Sequence, residues 1–147
     1  MRTSMNVDVS FDPKRFVETL ASRAHGGLLG LRYVAHGEDW SELAIDYAER
    51  LIGEEAGGVL ASGPILALMD MAASMSIWIK QKRFRGQATL DLRLDYLRPA
   101  TPGKPVIGRG ECYRLTRSVA FIRGQAHDGD PADPIAHAAG TYMFTDL

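Results

Sequence analysis

Apolar and polar residues alternate through Gln87–Arg98, with Leu90, Leu92, Leu94 and Tyr96 on one parity and Thr89, Asp91, Arg93 and Asp95 on the other. A period of two belongs to a strand with one buried face. Leu43, Ile45 and Tyr47 alternate with Glu42, Ala44 and Asp46 in the same manner, predicting a strand over Trp40–Tyr47. Leu29–Ala35 reads as its neighbour across the turn His36-Gly37-Glu38-Asp39. Three more strands are predicted at Val106–Leu115, Val119–His127 and Ile135–Thr145, after a turn at Arg98-Pro99-Ala100-Thr101-Pro102-Gly103.

Two segments follow a helical period instead. Asp12-Pro13 is a good helix start, because Asp caps the first N–H groups and Pro loses nothing at the first position. Phe16, Leu20 and Ala24 then recur every four residues, and Gly26-Gly27 is expected to stop the helix. The second helix runs from Pro64 to about Lys82 with Ser62 or Gly63 as its cap, and it is apolar nearly all round. Such a helix is buried on every side. Residues 48–62 read as a Gly-rich connection.

Small residues occupy one parity of the later strands: Gly108 and Gly110; Ala120, Gly124 and Ala126; Ala136, Ala138 and Gly140. A sheet paved in this way lets another backbone approach closely. The order strand–strand–helix–four strands therefore predicts an α+β domain in which a curved antiparallel sheet of about six strands wraps one long central helix. The 147 residues are read as a single domain, with residues 1–28 as an N-terminal helical extension.

A net charge of −1 argues against a nucleic-acid partner, which calls for a basic face. Residues 61–147 are nonetheless net positive, with 11 Lys and Arg against 8 Asp and Glu, so an anionic ligand suits that part. The one cysteine, Cys112, cannot form an internal disulfide, and Met1–Asp8 has no apolar run behind Arg2; both point to a cytoplasmic protein. The apolar stretch 56–79 contains Gly57, Gly58, Gly63, Pro64 and Asp70, which marks a core helix with its lead-in rather than a membrane span.

Asp70 is the only ionisable residue between Glu55 and Lys80, flanked by Leu66, Ala67, Met69, Ala73 and Ile77. A carboxylate in such surroundings is costly unless it is paired or used. A structural role in a polar seam is the competing reading. Ala61-Ser62-Gly63-Pro64 begins the same helix, where unpaired N–H groups and the positive dipole end can hold a developing oxyanion, or simply cap the helix. There is no G-x-S-x-G elbow, His25, His36, His127 and His137 lack metal-ligand spacing, and no metal site is expected. Met69, Met71 and Met75 read as core filler, with an acyl-lining role as the alternative.

Four runs resemble the hotdog-fold acyl-CoA thioesterases related to the phenylacetate-degradation thioesterase. They are G-V-L-A-S-G-P-I-L-A-L-M-D-M-A-A-S, A-T-L-D-L-R-L-D-Y-L-R-P-A, Y-R-L-T-R-S-V-A-F-I-R-G and A-A-G-T-Y-M-F, in register from about Tyr47 to Phe144. The resemblance implies a homodimer or homotetramer with active sites at subunit interfaces. It implies Asp70 as nucleophile or general base, and N–H groups of Ser62 and Gly63, at the family's H-G-G motif, as the oxyanion hole. Thr89 matches a site hydroxyl, and Arg117 and Ser118 match residues that meet the coenzyme A moiety.

The reaction expected is hydrolysis of a small or medium-chain acyl-CoA to a carboxylic acid and free coenzyme A, with no cofactor beyond the coenzyme A of the substrate. The basic run Lys82, Arg83 and Arg85, with Arg117, is expected to take its phosphates. Three positions depart from the pattern: Ala61 replaces the motif His, Ser62 the first motif Gly, and Glu55 an Asn six residues upstream. These departures support the alternative, a non-catalytic acyl-CoA-binding or assembly module of the same fold. On the strand pattern, Thr89 shares its parity with Asp91 and Arg93, so reaching the helix requires a bulge or a strand end.

Overall fold

The computed structural model describes residues 11–146. The reading of Met1–Asp8 lies outside them. Helix α1 (Pro13–Ala21) begins as expected, with the Asp12 carboxylate accepting from the Arg15 N–H. It ends earlier than Gly26-Gly27, which instead lie within a second short helix, α2 (Ala24–Leu29). The pair serves close packing. A Cβ at Gly26 would stand 2.7 Å from the Leu20 carbonyl oxygen. The stop falls to Gly30, whose left-handed conformation (φ 66°) caps α2.

The chain continues through β1 (Leu31–His36), β2 (Trp40–Ile45), a 3-10 turn at Glu49–Leu51, and a small hairpin of β3 (Ile52–Glu54) and β4 (Val59–Leu60). This hairpin replaces the expected plain connection over 48–62. It has too few residues for a periodic pattern to show. Helix α3 (Ser62–Gln81) follows, then β5 (Gln87–Tyr96), β6 (Val106–Leu115), β7 (Val119–His127) and β8 (Ala136–Phe144).

The main sheet has six antiparallel strands in the order β1-β2-β6-β7-β8-β5, and α3 lies in its concave face. This is the hotdog arrangement expected from the sequence. Leu68, Met69, Ala72, Met75 and Ile77 of α3 are fully buried against it, each larger side chain contributing about 1.5–3 kcal/mol. The small-residue parity explains how closely they meet. A Cβ at Gly110 would sit 2.6 Å from the backbone of Ala72 and Ala73, and the Ser41 hydroxyl donates to the Ala72 carbonyl at 2.7 Å. At the far end of α3, Phe16 and Phe84 pack on Trp78 with ring centroids 5.0 Å away in each case, so α1 covers that end.

The helix is less enclosed than its composition suggests. The stripe Gly63, Leu66, Ala67, Asp70 and Ser74, spaced three or four residues apart, is exposed or half-buried. The cause is topological. β5 is the last strand of the sheet, and among the described residues nothing pairs with its outer edge. Leu90 and Tyr96, expected on a buried face, are 56% and 45% exposed, and Leu97 beyond them is 59% exposed.

Candidate active site

Asp70 sits where the open stripe of α3 meets the first residues of β5. The pairing of β5 with β8 places Thr89 opposite Tyr142 and Asp91 opposite Thr141, so Leu90 is an extra residue, a β-bulge. The bulge resolves the parity conflict: it turns Thr89 toward the helix while Asp91 and Arg93 remain outside. The Thr89 hydroxyl donates to Asp70 Oδ1 at 2.9 Å. A second hydroxyl reaches the same oxygen, with Tyr142 Oη donating to Oδ1 at 2.7 Å. Among the described residues Oδ2 accepts no hydrogen bond from the protein, and Asp70 is half-buried.

Tyr142 escaped the sequence reading. It lies on the inward parity of β8 with Ala136, Ala138, Gly140 and Phe144, where an aromatic residue reads as core. Burial, and the Asp70 carboxylate facing it, push its phenol far above the ordinary tyrosine value. Tyr142 therefore stays a hydrogen-bond donor at any working pH.

At the start of α3, Ser62 and Gly63 are exposed, and Ala61 supplies no side-chain cap. Pro64 has no N–H, and the Ala61 N–H donates to the Leu51 carbonyl at 2.9 Å, so the donors presented there are those of Ser62 and Gly63. The Tyr96 hydroxyl donates to the Ser62 carbonyl at 3.0 Å, tying this end of the helix to β5. Glu55 lies exposed in the β3–β4 turn. Cys112 is fully buried, and burial pushes its thiol up to about 11, so it offers no thiolate nucleophile.

The four expected cations separate. Arg117 and Ser118 form the β6–β7 turn, which touches the end of β8 through the Phe144 N–H and Ser118 carbonyl at 3.0 Å. Thr145 in turn donates to the Gly86 carbonyl at 3.0 Å, so Arg117, Arg83 and Arg85 lie at the same end of the sheet. Arg83 and Arg117 are exposed there. Arg85 is committed elsewhere: it pairs with Asp146 and stacks 3.9 Å above the Phe144 ring. Lys82, in a left-handed conformation at the end of α3, lines a separate open cavity of about 690 Å³ with Phe11, His36, Glu38 and Asp39.

A helix enclosed by a sheet, with one half-buried carboxylate held by hydroxyls and a helix N-terminus open nearby, defines a site suited to acyl transfer. Residues 57–135 match the family model described as the thioesterase superfamily, and the chain belongs to that family. The medium/long-chain acyl-CoA thioesterase YigI of Escherichia coli is 29% identical over 135 residues, spanning 78% of this chain and 81% of the relative. A crystal structure of a Pseudomonas aeruginosa protein superposes with a TM-score of 0.77 at 40% identity, covering 89% of this chain and 95% of that one. A thioesterase of Haemophilus influenzae shares the fold, with a TM-score of 0.79 at 22% identity over 93% of this chain and 92% of its own.

Proposed function

We propose that this thioester hydrolase cleaves medium-length acyl-CoA, with Asp70 as the group that activates water or attacks the carbonyl carbon. The observation that carries the reading is the state of that half-buried carboxylate: one oxygen is fixed by two hydroxyls, and the other accepts no hydrogen bond among the described residues. As general base, Oδ2 takes a proton from water while the water oxygen bonds to the thioester carbon. The oxyanion formed rests on the Ser62 and Gly63 N–H groups, and its collapse expels coenzyme A as the thiolate. As nucleophile, Oδ2 bonds to the same carbon, the C–S bond breaks to release the coenzyme A thiolate, and water then hydrolyses the resulting anhydride to the free acid and the Asp70 carboxylate. The medium range is where the names of the 29%-identical relatives, medium/long-chain acyl-CoA thioesterases, overlap the small-to-medium range expected from the sequence, and the exposed Leu66 and Leu90 offer an apolar rim for it.

The geometry favours a site built from two copies. Asp70 lies seven positions after Gly63, an axial rise of about 10 Å at ~1.5 Å per residue. The first-turn N–H groups point out of the helix end, away from Asp70. A reacting carbonyl needs its carbon within ~3.5 Å of the attacking atom and its oxygen within ~3 Å of the donors. The Asp70 and Ser62–Gly63 groups of one chain do not converge on a single carbonyl. Two chains joined along the unpaired edge of β5 bring one Asp70 toward the other helix start and cover Leu90 and Leu97. Arg83 and Arg117, both exposed at one end of the sheet, are the cations we propose to receive the coenzyme A phosphates.

The test is release of free thiol from straight-chain acyl-CoAs of increasing length. A maximum of kcat/KM at medium chains is expected. Tight binding of acyl-CoA without turnover of any member would overturn the reading in favour of a binding module.

A further inference from the structure

Tyr142 reaches Asp70 from within the packed core. It is 1% exposed, packed in the core cluster with Ala73, Ile77, Ile122 and Phe144, and directly opposite Thr89 across the β5–β8 ladder. Its ring therefore cannot follow a moving partner. Its hydroxyl stands 2.7 Å from Asp70 Oδ1 and 3.3 Å from the Asp70 carbonyl oxygen, so the better bond is to the side chain. Thr89 adds its hydroxyl to the same oxygen from the edge strand. Two donors converging on one carboxylate oxygen set both the rotamer and the plane of the group.

We infer that Tyr142 is a positioning residue for the reaction: with Thr89 it anchors Asp70 Oδ1 and thereby makes Oδ2 the reacting oxygen. This rests on the proposed role of Asp70. The two hydroxyls differ in kind. Thr89 is exposed on an edge strand, whereas Tyr142 is buried in the core. Tyr142 therefore supplies the permanent reference and Thr89 the adjustable one. The arrangement places the attacking oxygen without occupying its lone pairs, which is what an attacking group requires.

The experiment is a cycle of Y142F and D70N, read as kcat and KM with activity normalised to folded protein by circular dichroism. Y142F removes one oxygen atom and keeps the ring that fills the core. Loss of a charge-assisted hydrogen bond should lower kcat by about 10- to 100-fold with KM within about twofold. In the D70N background Y142F should cause no further loss, because nothing remains for it to position. A purely structural tyrosine would lower the folded fraction and leave kcat per folded molecule unchanged in both backgrounds.

If Y142F proves too unstable, 3-fluorotyrosine at position 142 keeps the shape and makes the hydroxyl a stronger donor. The stronger donor stabilises the Asp70 anion and so weakens Oδ2 as base or nucleophile, which should lower kcat at unchanged KM; an unchanged kcat overturns the inference. Unaltered turnover in Y142F with an inactive D70N overturns the role of Tyr142 alone. Full turnover in D70N overturns the reading of Asp70, and the role of Tyr142 with it.

Discussion

Replacing Gly110 by alanine tests how the sheet sets the position of the reacting group. A Cβ there would lie 2.6 Å from the Ala72 carbonyl carbon and Ala73 nitrogen and 2.7 Å from the Ala72 oxygen. Ordinary contact needs roughly 3.5 Å, so α3 has to retreat from β6 by nearly 1 Å. These are backbone atoms, and no side-chain rotation relieves the clash. Retreat also stretches the bond from the Ser41 hydroxyl to the Ala72 carbonyl. Overpacking of this kind costs about 1–3 kcal/mol. Because the obstacle is backbone, G110A belongs at the upper part of that range, a fall in melting temperature of roughly 4–12 °C for a chain of this size.

The same shift moves Asp70, only two residues from Ala72, relative to Thr89 and Tyr142. A misplacement near 1 Å can cost on the order of 10²-fold in rate. Thermal unfolding and turnover of G110A are compared with G57A, where the added carbon meets nothing nearer than the Val59 side chain at 3.7 Å. G57A should match the parent in both measurements. A G110A protein with parental stability and turnover would refute the close seating of α3 as the device that places Asp70.

Three further outcomes are expected. Joint replacement of Arg83 and Arg117 by Gln should raise KM several-fold and leave kcat unchanged, since phosphate contacts persist from ground state to transition state; a KM insensitive to the change and to salt would move the phosphate site elsewhere. Sedimentation should show a dimer or larger assembly at micromolar concentration, and a folded, active monomer would contradict the shared site. The Arg98 guanidinium, 2.7 Å away, and the Thr101 N–H, 2.8 Å away, hold the nearly buried Asp128 carboxyl well below the usual carboxylate range. A depressed folded value gives stability that is present above about pH 4 and lost as pH falls further. D128N should therefore melt several degrees lower than the parent at pH 7, with the gap closing below about pH 4; a gap independent of pH would show the carboxylate charge to be irrelevant.

The sheet and the central helix were legible because each writes a long period into the chain. Leu43 and Ile45 on one parity, and Gly108 with Gly110 on another, mark a pleated surface whatever lies against it. The losses came where partners are distant in sequence. Tyr142 and Asp70 are 72 residues apart, and only the register of β5 on β8 makes the phenol a donor rather than filler. The bulge at Leu90 was required by the parity of Thr89, but alternation alone does not say which residue is extra. Arg85 sat in a basic run, yet Asp146 and the Phe144 ring claim it through the closing of β8 on the start of β5. Openness along Gly63, Leu66, Asp70 and Ser74 was hidden for another reason. A helix face left open to solvent here carries the same kind of apolar residues as one buried in the chain's own core.

The central claim is that the Asp70 carboxylate performs the chemistry, and D70N tests it most directly. Asn keeps the volume and still accepts from Thr89 and Tyr142, but at neutral pH it cannot serve as base or nucleophile. Turnover of a medium-chain acyl-CoA by D70N should fall by ~10²–10⁴-fold, with the protein folded and substrate still bound. A D70N protein that melts lower than the parent yet keeps full specific activity per folded molecule would contradict the account.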